Sequence, residues 1–298
     1  MKFEELIYKR LLNSEVAGKM ASYAGVPAIF YSEVPSDNQE GWGDKTQYPR
    51  ICYWFDMQAN QERNSAGTLT ISLMCMNETE QLPEQMEPIL RSCMKDILLT
   101  PHEENSSYCF AWGKTEAFSY QKQDGTRMSD GDLVVGCDII FDILEYTNQE
   151  TTDPDPIVAM NRYIKELYPE AIVLGWDKVE EIIEAGVETP VFYCRLLETE
   201  VDRETNTVVW LNGKIAIHFL CPDSSVRMKM TMGLANKLSL DGEVILLDKS
   251  PMFIEELSAD YKADYFTEGQ LKITGQYGLL RYQQAGKILR NTTITGGV

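Results

Sequence analysis

Apolar positions recur along this chain with two different periods, and the same succession of periods occurs twice. Phe3, Leu6, Ile7 and Leu11 fall at helical spacing, and so do Ile157, Met160, Ile164 and Leu167. Beyond each predicted helix a proline leads into a short apolar strand. One is Pro49-Arg50-Ile51-Cys52-Tyr53-Trp54-Phe55, the other Pro190-Val191-Phe192-Tyr193-Cys194-Arg195-Leu196. A polar turn region follows, then a glycine that opens an alternating strand. Gly67, Leu69, Ile71, Leu73 and Cys75 match Gly213, Ile215, Ile217, Phe219 and Cys221 position for position. Such alternation sets one face of a strand on a core and the other towards water.

In the first half, Met86, Ile89, Leu90, Cys93, Met94, Ile97 and Leu98 form an apolar stripe that predicts a helix over 85–99. The counterpart is ambivalent. Val226, Met228, Met230, Met232 and Leu234 alternate with period two, whereas the Met/Lys/Leu composition and the place in the repeat predict a helix over 224–239. The helix is the reading adopted. Each half then closes with a strand pair. Tyr108 to Tyr120 turns at Asp124-Gly125 and returns as Leu133 to Leu144; Ile254 to Tyr261 leads to Gly269-Gln270-Leu271-Lys272-Ile273. Gly131, Leu133 and Val135 are set against Gly269, Leu271 and Ile273.

Between the halves lies Thr151-Thr152-Asp153-Pro154-Asp155-Pro156, whose two prolines predict a stiff, extended linker. The expected fold is therefore α+β and duplicated, with residues 1–150 and 157–298 as the two copies and 151–156 as the joint. Each copy follows the order α-β-β-α-β-β, a mostly antiparallel sheet of about four strands packed with two helices.

Composition narrows the function classes. The 298 residues carry 27 Lys+Arg against 46 Asp+Glu, a net charge of −19, which argues against a grip on nucleic-acid phosphates. Both halves share the excess, with 12 basic and 24 acidic residues in 1–150 and 15 and 22 in 151–298. No apolar run approaches the roughly 18–20 residues that span a bilayer. The opening Met1-Lys2-Phe3-Glu4-Glu5-Leu6 has acids where a signal peptide has its apolar stretch, so a cytoplasmic start is expected. The seven cysteines, Cys52, Cys75, Cys93, Cys109, Cys137, Cys194 and Cys221, form no CxxC pair and read as small buried hydrophobes of a reducing compartment.

Candidate chemistry is thin, and no catalytic, metal or cofactor residue is assigned. The two histidines, His102 and His218, supply a metal site poorly, and Cys93, His102 and Cys109 match no metal knuckle. His218 falls on the polar phase of its strand and is expected at the surface. Gly113-Lys114-Thr115 ends like a phosphate loop, but Tyr108 stands where the first glycine belongs. Gly41-Trp42-Gly43 lacks the third glycine of a dinucleotide fingerprint, where Thr46 stands. Ser92-Cys93-Met94-Lys95 reads as SxxK inside a helix, without its companion motifs. Glu180, Glu181 and Glu184 are expected on a solvated helix face. The segment from Tyr31 to Gly43 is long for a connection, and Pro35 and Trp42 within it are candidate interface residues, the other reading being that Trp42 folds back to cap its own domain. Thr293 and Thr295, in an extended-looking C-terminal arm, are the others.

This order of elements resembles the tail-terminator, or tail-completion, proteins of tailed bacteriophages. The resemblance rests on Gly67-Thr68-Leu69-Thr70-Ile71-Ser72-Leu73, the helix after it, Phe118, and Gly136-Cys137-Asp138-Ile139-Ile140-Phe141-Asp142-Ile143. It covers most of residues 1–146, with the second half joining through its likeness to the first. It implies a structural virion protein of the tail or neck, made in a bacterial cytoplasm. Such a protein forms a ring on the tail tube protein, stops tube growth and joins the head–tail connector. Two domains per chain imply three chains in a pseudo-sixfold ring, or six chains with twelve domains. DNA would pass through such a ring without specific binding, because acidic walls repel phosphate. A different neck or baseplate component is the neighbouring reading. A host enzyme or ligand-binding tandem protein is the rival from another class, and its mark is a deep polar pocket between the halves.

Overall fold

A computed structural model describes residues 2–43, 46–62, 64–77, 81–122, 133–149 and 153–281. The first helix, α1 (Phe3–Leu12), buries Phe3, Leu6, Ile7 and Leu11 along one face. A small hairpin of β1 (Ser22–Tyr23) and β2 (Val26–Pro27) follows. Then come β3 (Ile29–Tyr31), β4 (Arg50–Asp56) and β5 (Gly67–Met76). The half is completed by α2 (Pro83–Met94), β6 (Ile97–Leu99), β7 (Ser106–Gln121) and β8 (Leu133–Thr147). The second half runs α3 (Pro156–Leu167), β9 (Ile172–Val173), β10 (Ile182–Glu184), β11 (Val191–Glu204) and β12 (Val208–Leu220). It ends with α4 (Ser224–Asp241), β13 (Glu243–Ile245), β14 (Pro251–Ala259) and β15 (Leu271–Leu280).

The two sheets share one strand order. The first reads β6-β7-β8-β5-β4-β3 with β10 added at the β6 edge, and the second reads β13-β14-β15-β12-β11-β9. In each, the last pair is parallel, β3 with β4 and β9 with β11, and the other pairs are antiparallel. The fold is thus α+β and duplicated. Helices cover one face of each sheet. Leu6, Ile7, Leu90 and Met94 pack over Ile71, Leu73, Ile139 and Phe141 in one half. Met160, Ile164, Leu234 and Leu238 pack over Phe192, Ile215, Phe219 and Leu271 in the other.

Registers confirm most of the internal match and correct one part of it. Ile51 pairs with Leu73 as Phe192 pairs with Phe219, which keeps Leu73 and Phe219 equivalent. Ile71 pairs with Ile139 and Ile217 with Leu271. The counterpart of Leu271 is therefore Ile139, not Leu133, and Gly131 lies outside the described residues. The slip arises because β8 starts six residues before the counterpart of Leu271, so a match made from the first residue of the strand mis-sets the register. Asp124 and Gly125 also lie outside the described residues.

Three element boundaries differ from the sequence reading. The helix expected over 85–99 ends at Met94, because Asp96 adopts a left-handed φ of +56° and turns the apolar Ile97-Leu98-Leu99 into a buried strand. The linker is shorter than 151–156. Asp155 caps α3 by accepting from the Ile157 and Val158 amides, and Pro156 is its first residue. Glu184 lies on strand β10, with Glu180 and Glu181 in the irregular chain before it and not on a helix.

Candidate interaction surfaces

The halves meet through backbone as well as side chains. β10 lies between β9 and β11 in sequence, yet it pairs with β6 of the other half, Ile182 to Leu99, Ile183 to Leu98 and Glu184 to Ile97. The Thr100 amide donates to Glu181 O (2.9 Å) and the Ala185 amide to Asp96 O (3.1 Å). Two cations of α1 face the acids of this strand: Arg10 meets Glu184 at 2.5 Å, and Lys9 lies 3.9 Å from Glu181. Behind β10, Leu98, Cys109, Leu144 and Tyr146 of the first half close on Leu174, Ile183, Tyr193 and Leu220 of the second. The Tyr193 hydroxyl donates to Thr147 O (2.9 Å), the Tyr146 hydroxyl to Phe266 O (3.1 Å) and the Tyr265 hydroxyl to Asp96 (3.0 Å).

His218 belongs to this seam. It was expected at the surface from its polar phase, but it is 1% exposed, against the rings of Tyr146 and Tyr193. The face of β12 opposite the helices is covered by the first half, so both phases of the strand are buried there. Its Nδ1 lies 3.1 Å from Tyr265 O. Burial, reinforced by the positive charge of Arg195, lowers its pKa to about 4 and keeps the ring neutral.

The stretches 32–43 and 46–49 of the long segment fold back on their own half. Trp42 is half-buried, bridges to Tyr23 and packs edge-on against Tyr23 (5.0 Å) and Phe30 (5.9 Å). Its indole N–H donates to Ser36 O (3.0 Å). Gly41, at φ +123°, allows this approach, since a Cβ there would lie 2.9 Å from the Tyr23 ring. Asp37 binds Arg50 (2.6 Å) and Lys122 (3.2 Å). Burial acts upward on its pKa, but the two cations outweigh it and hold the carboxyl below its usual value. Pro35 is half-buried, beside Val34, which packs on Tyr48, Cys52, Met74 and Val134. Thr293 and Thr295 lie outside the described residues.

Two ribbons extend past the cores. Residues 110–121 of β7 have no strand on their outer side among the described residues. An open groove of about 640 Å³ runs beneath this ribbon, with Glu84 and Glu87 of α2 on one wall and Trp112, Phe118 and Gly136 on the other. Arg91 stacks over Trp112 at 4.6 Å, and Thr115 donates to Glu87 (2.9 Å). The other ribbon, β11–β12, is acidic, with Glu198, Glu200, Asp202 and Glu204 along β11 and all four exposed. Glu198 pairs with Lys214 (3.0 Å), Arg281 meets Glu204, and Arg203 stacks over Trp210 (4.9 Å).

The remaining sequence motifs sit in structural roles. Lys114 of the Gly113-Lys114-Thr115 run sits at a bulge of β7 and pairs with Glu116 at 2.7 Å. Ser92 lies on α2, and Lys95, just past its end, lies 3.8 Å from Asp96. His102 is exposed, 3.6 Å from Glu181. Cys93 points to Arg10 O and Cys109 donates to the Tyr146 hydroxyl, so the three residues drawn as metal ligands face different partners. Among the described residues no three His, Cys, Asp or Glu side chains gather where they would hold a metal ion. All seven cysteines are buried, and burial pushes the thiols of Cys75 and Cys137 up to about 12, where they stay protonated and unreactive. Among the described residues no helix is long and apolar enough to cross a membrane. No protein-family model, no curated protein and no solved structure matches the chain.

Proposed function

We propose that the chain is a structural subunit of a tailed-bacteriophage particle, a tail terminator or neck ring in which each chain supplies two successive building units. The observation that carries this reading is the repeated strand order, joined by a strand that passes from one unit to the edge of the next. Units that carry an edge and also the segment that covers an edge assemble head to tail, and such contacts generate rings when the rotation closes. The acidity of both halves supports a wall along which DNA passes without adhering. The inter-half seam is filled by Tyr146, Tyr193, Leu220 and His218, side chains that are nearly fully buried, which favours a building role over a ligand site at that place.

The test is electron microscopy of particles made without this chain. The reading expects tails of uncontrolled length or heads without tails, and normal particles would refute it. Locating the chain in intact particles separates a terminator from another neck or baseplate component.

A further inference from the structure

The contact between the two halves describes a contact between two chains. Register equates β6 with β13. Leu98 faces Cys109 as Glu243 faces Phe253, and Leu99 faces Tyr108 as Val244 faces Met252. Thr100 thus corresponds to Ile245. In the first half this edge is covered by β10, a piece of the connector between the parallel strands β9 and β11. Among the described residues β13 is the last strand of its sheet in the second half. Thr100 is buried under β10, whereas Ile245 is 43% exposed, together with Leu247 (42%) and Phe253 (39%). The edge carbonyl of Ile245 receives the guanidinium of Arg162. On α3, Ala159, Met160 and Ile164 repeat the burial of Leu6, Ile7 and Leu11, which sets Arg162 where α1 has Lys9, one of the two cations that face β10.

The covering segment also has a counterpart. The first half's connector joins its parallel strands β3 and β4, and its described stretches 32–43 and 46–49 pack on the sheet face away from the helices through Val34 and Tyr48. Its exposed stretch carries Glu33 and Glu40, as the β10 segment carries Glu181 and Glu184. We infer that the 32–43 stretch of this connector in a second copy docks on the β13 edge of the first, repeating between chains the strand addition that β10 makes within one, with its acids towards Arg162. The inference rests on the ring reading and assigns its contact surface. The outer seam is more polar than the inner one: Leu98, Cys109, Leu144 and Tyr146 have Glu243, Phe253, Gln276 and Gly278 as counterparts. The contact between chains is therefore weaker than the contact within a chain, and assembly depends on concentration.

Two double variants of the full chain test this by mass measurement in solution, with circular dichroism to show that each remains folded. Ile245→Asp/Leu247→Asp alters the accepting edge, and Glu33→Lys/Glu40→Lys alters the donating connector. All four positions are exposed, so the folded state tolerates the changes. The wild type is expected to form assemblies of more than two 33.9 kDa chains as its concentration rises. Each variant alone should stay a single chain. Their equimolar mixture should stop at two, because each copy keeps one working surface. A wild type that remains a single chain up to its solubility limit overturns the inference, and so does a mixture without pairs. Assemblies that persist in both variants overturn this contact and leave the ring reading standing, since that reading is decided by the particles.

Discussion

A buried imidazole has a pH signature. His218 titrates near 4 in the folded chain against about 6.5 when unfolded. Its Nδ1 faces a carbonyl, while Nε2 finds no partner among the described residues, so the imidazolium would bury a donor without an acceptor. Between pH 6.5 and 4 the unfolded chain binds the proton and the folded one does not. Stability therefore falls as pH drops through this window and rises as pH climbs. The group's share is on the order of 3 kcal/mol, and His218→Asn should lose less stability than the wild type between pH 7 and 4 in urea melts. Equal losses would show that other groups govern the acid limb. Glycine supplies a second test. A Cβ at Gly136 would lie 2.3 Å from the Phe118 ring and 2.4 Å from Leu73 O, whereas one at Gly18 meets nothing within 4 Å. Gly136→Ala should cost about 2 kcal/mol, and Gly18→Ala should stay within about 0.5, by chemical denaturation. Neither the burial of His218 nor the crowding at Gly136 was legible in the sequence. Alternation reports which phase of a strand is apolar, but not that a second domain covers the other phase.

Elements were legible where one period dominates. The helices at 3–12 and 157–167, and the strand pair of β4 and β5 with its likeness to β11 and β12, follow from spacing alone. α4 was ambivalent, because its methionines alternate, and the structure shows why the helix prevails. Thr231, Leu234, Ala235 and Leu238 are buried at helical spacing, while Met228 and Met232 face outward. Its ends are also set by local chemistry. Asp223 accepts from the Ser225 (2.8 Å) and Val226 (2.9 Å) amides, and Gly242 closes the helix at φ +71°. Asp223→Ala should therefore lower stability by about 1 kcal/mol, while Asp223→Asn should keep most of it. Equal losses would show that the carboxylate acts through something other than its cap. Two elements were misread for opposite reasons. Ile97-Leu98-Leu99 continues an apolar stripe and so imitates another helical turn, and only the left-handed Asp96 breaks it. β10, Ile182-Ile183-Glu184, is three residues long, too short for any period to register. Its partner lies in the other half, and pairing at that distance leaves no trace in local pattern.

At the scale of the molecule, that short strand decides whether the two cores behave as one. The first sheet has seven strands only because the second half lends it β10, and the cluster behind β10 joins the non-helical faces of both halves. Ile183 is at its centre, 6% exposed and paired with Leu98. A carboxylate at this position would be buried among Leu98, Leu144 and Leu220, a cost of several kcal/mol that falls on the seam and on neither helix-backed core. Each core keeps its own helices and long strands in that variant. Calorimetry of the wild type should show one unfolding transition, and Ile183→Asp should split it into two, the half with less buried apolar surface melting first. Leu240→Asp, at a position 84% exposed, should leave the single transition in place. If Ile183→Asp instead moved one transition as a whole, the halves would be a single folding unit that cannot come apart. A ring built from such chains would then exchange whole chains, never single domains, at its contacts.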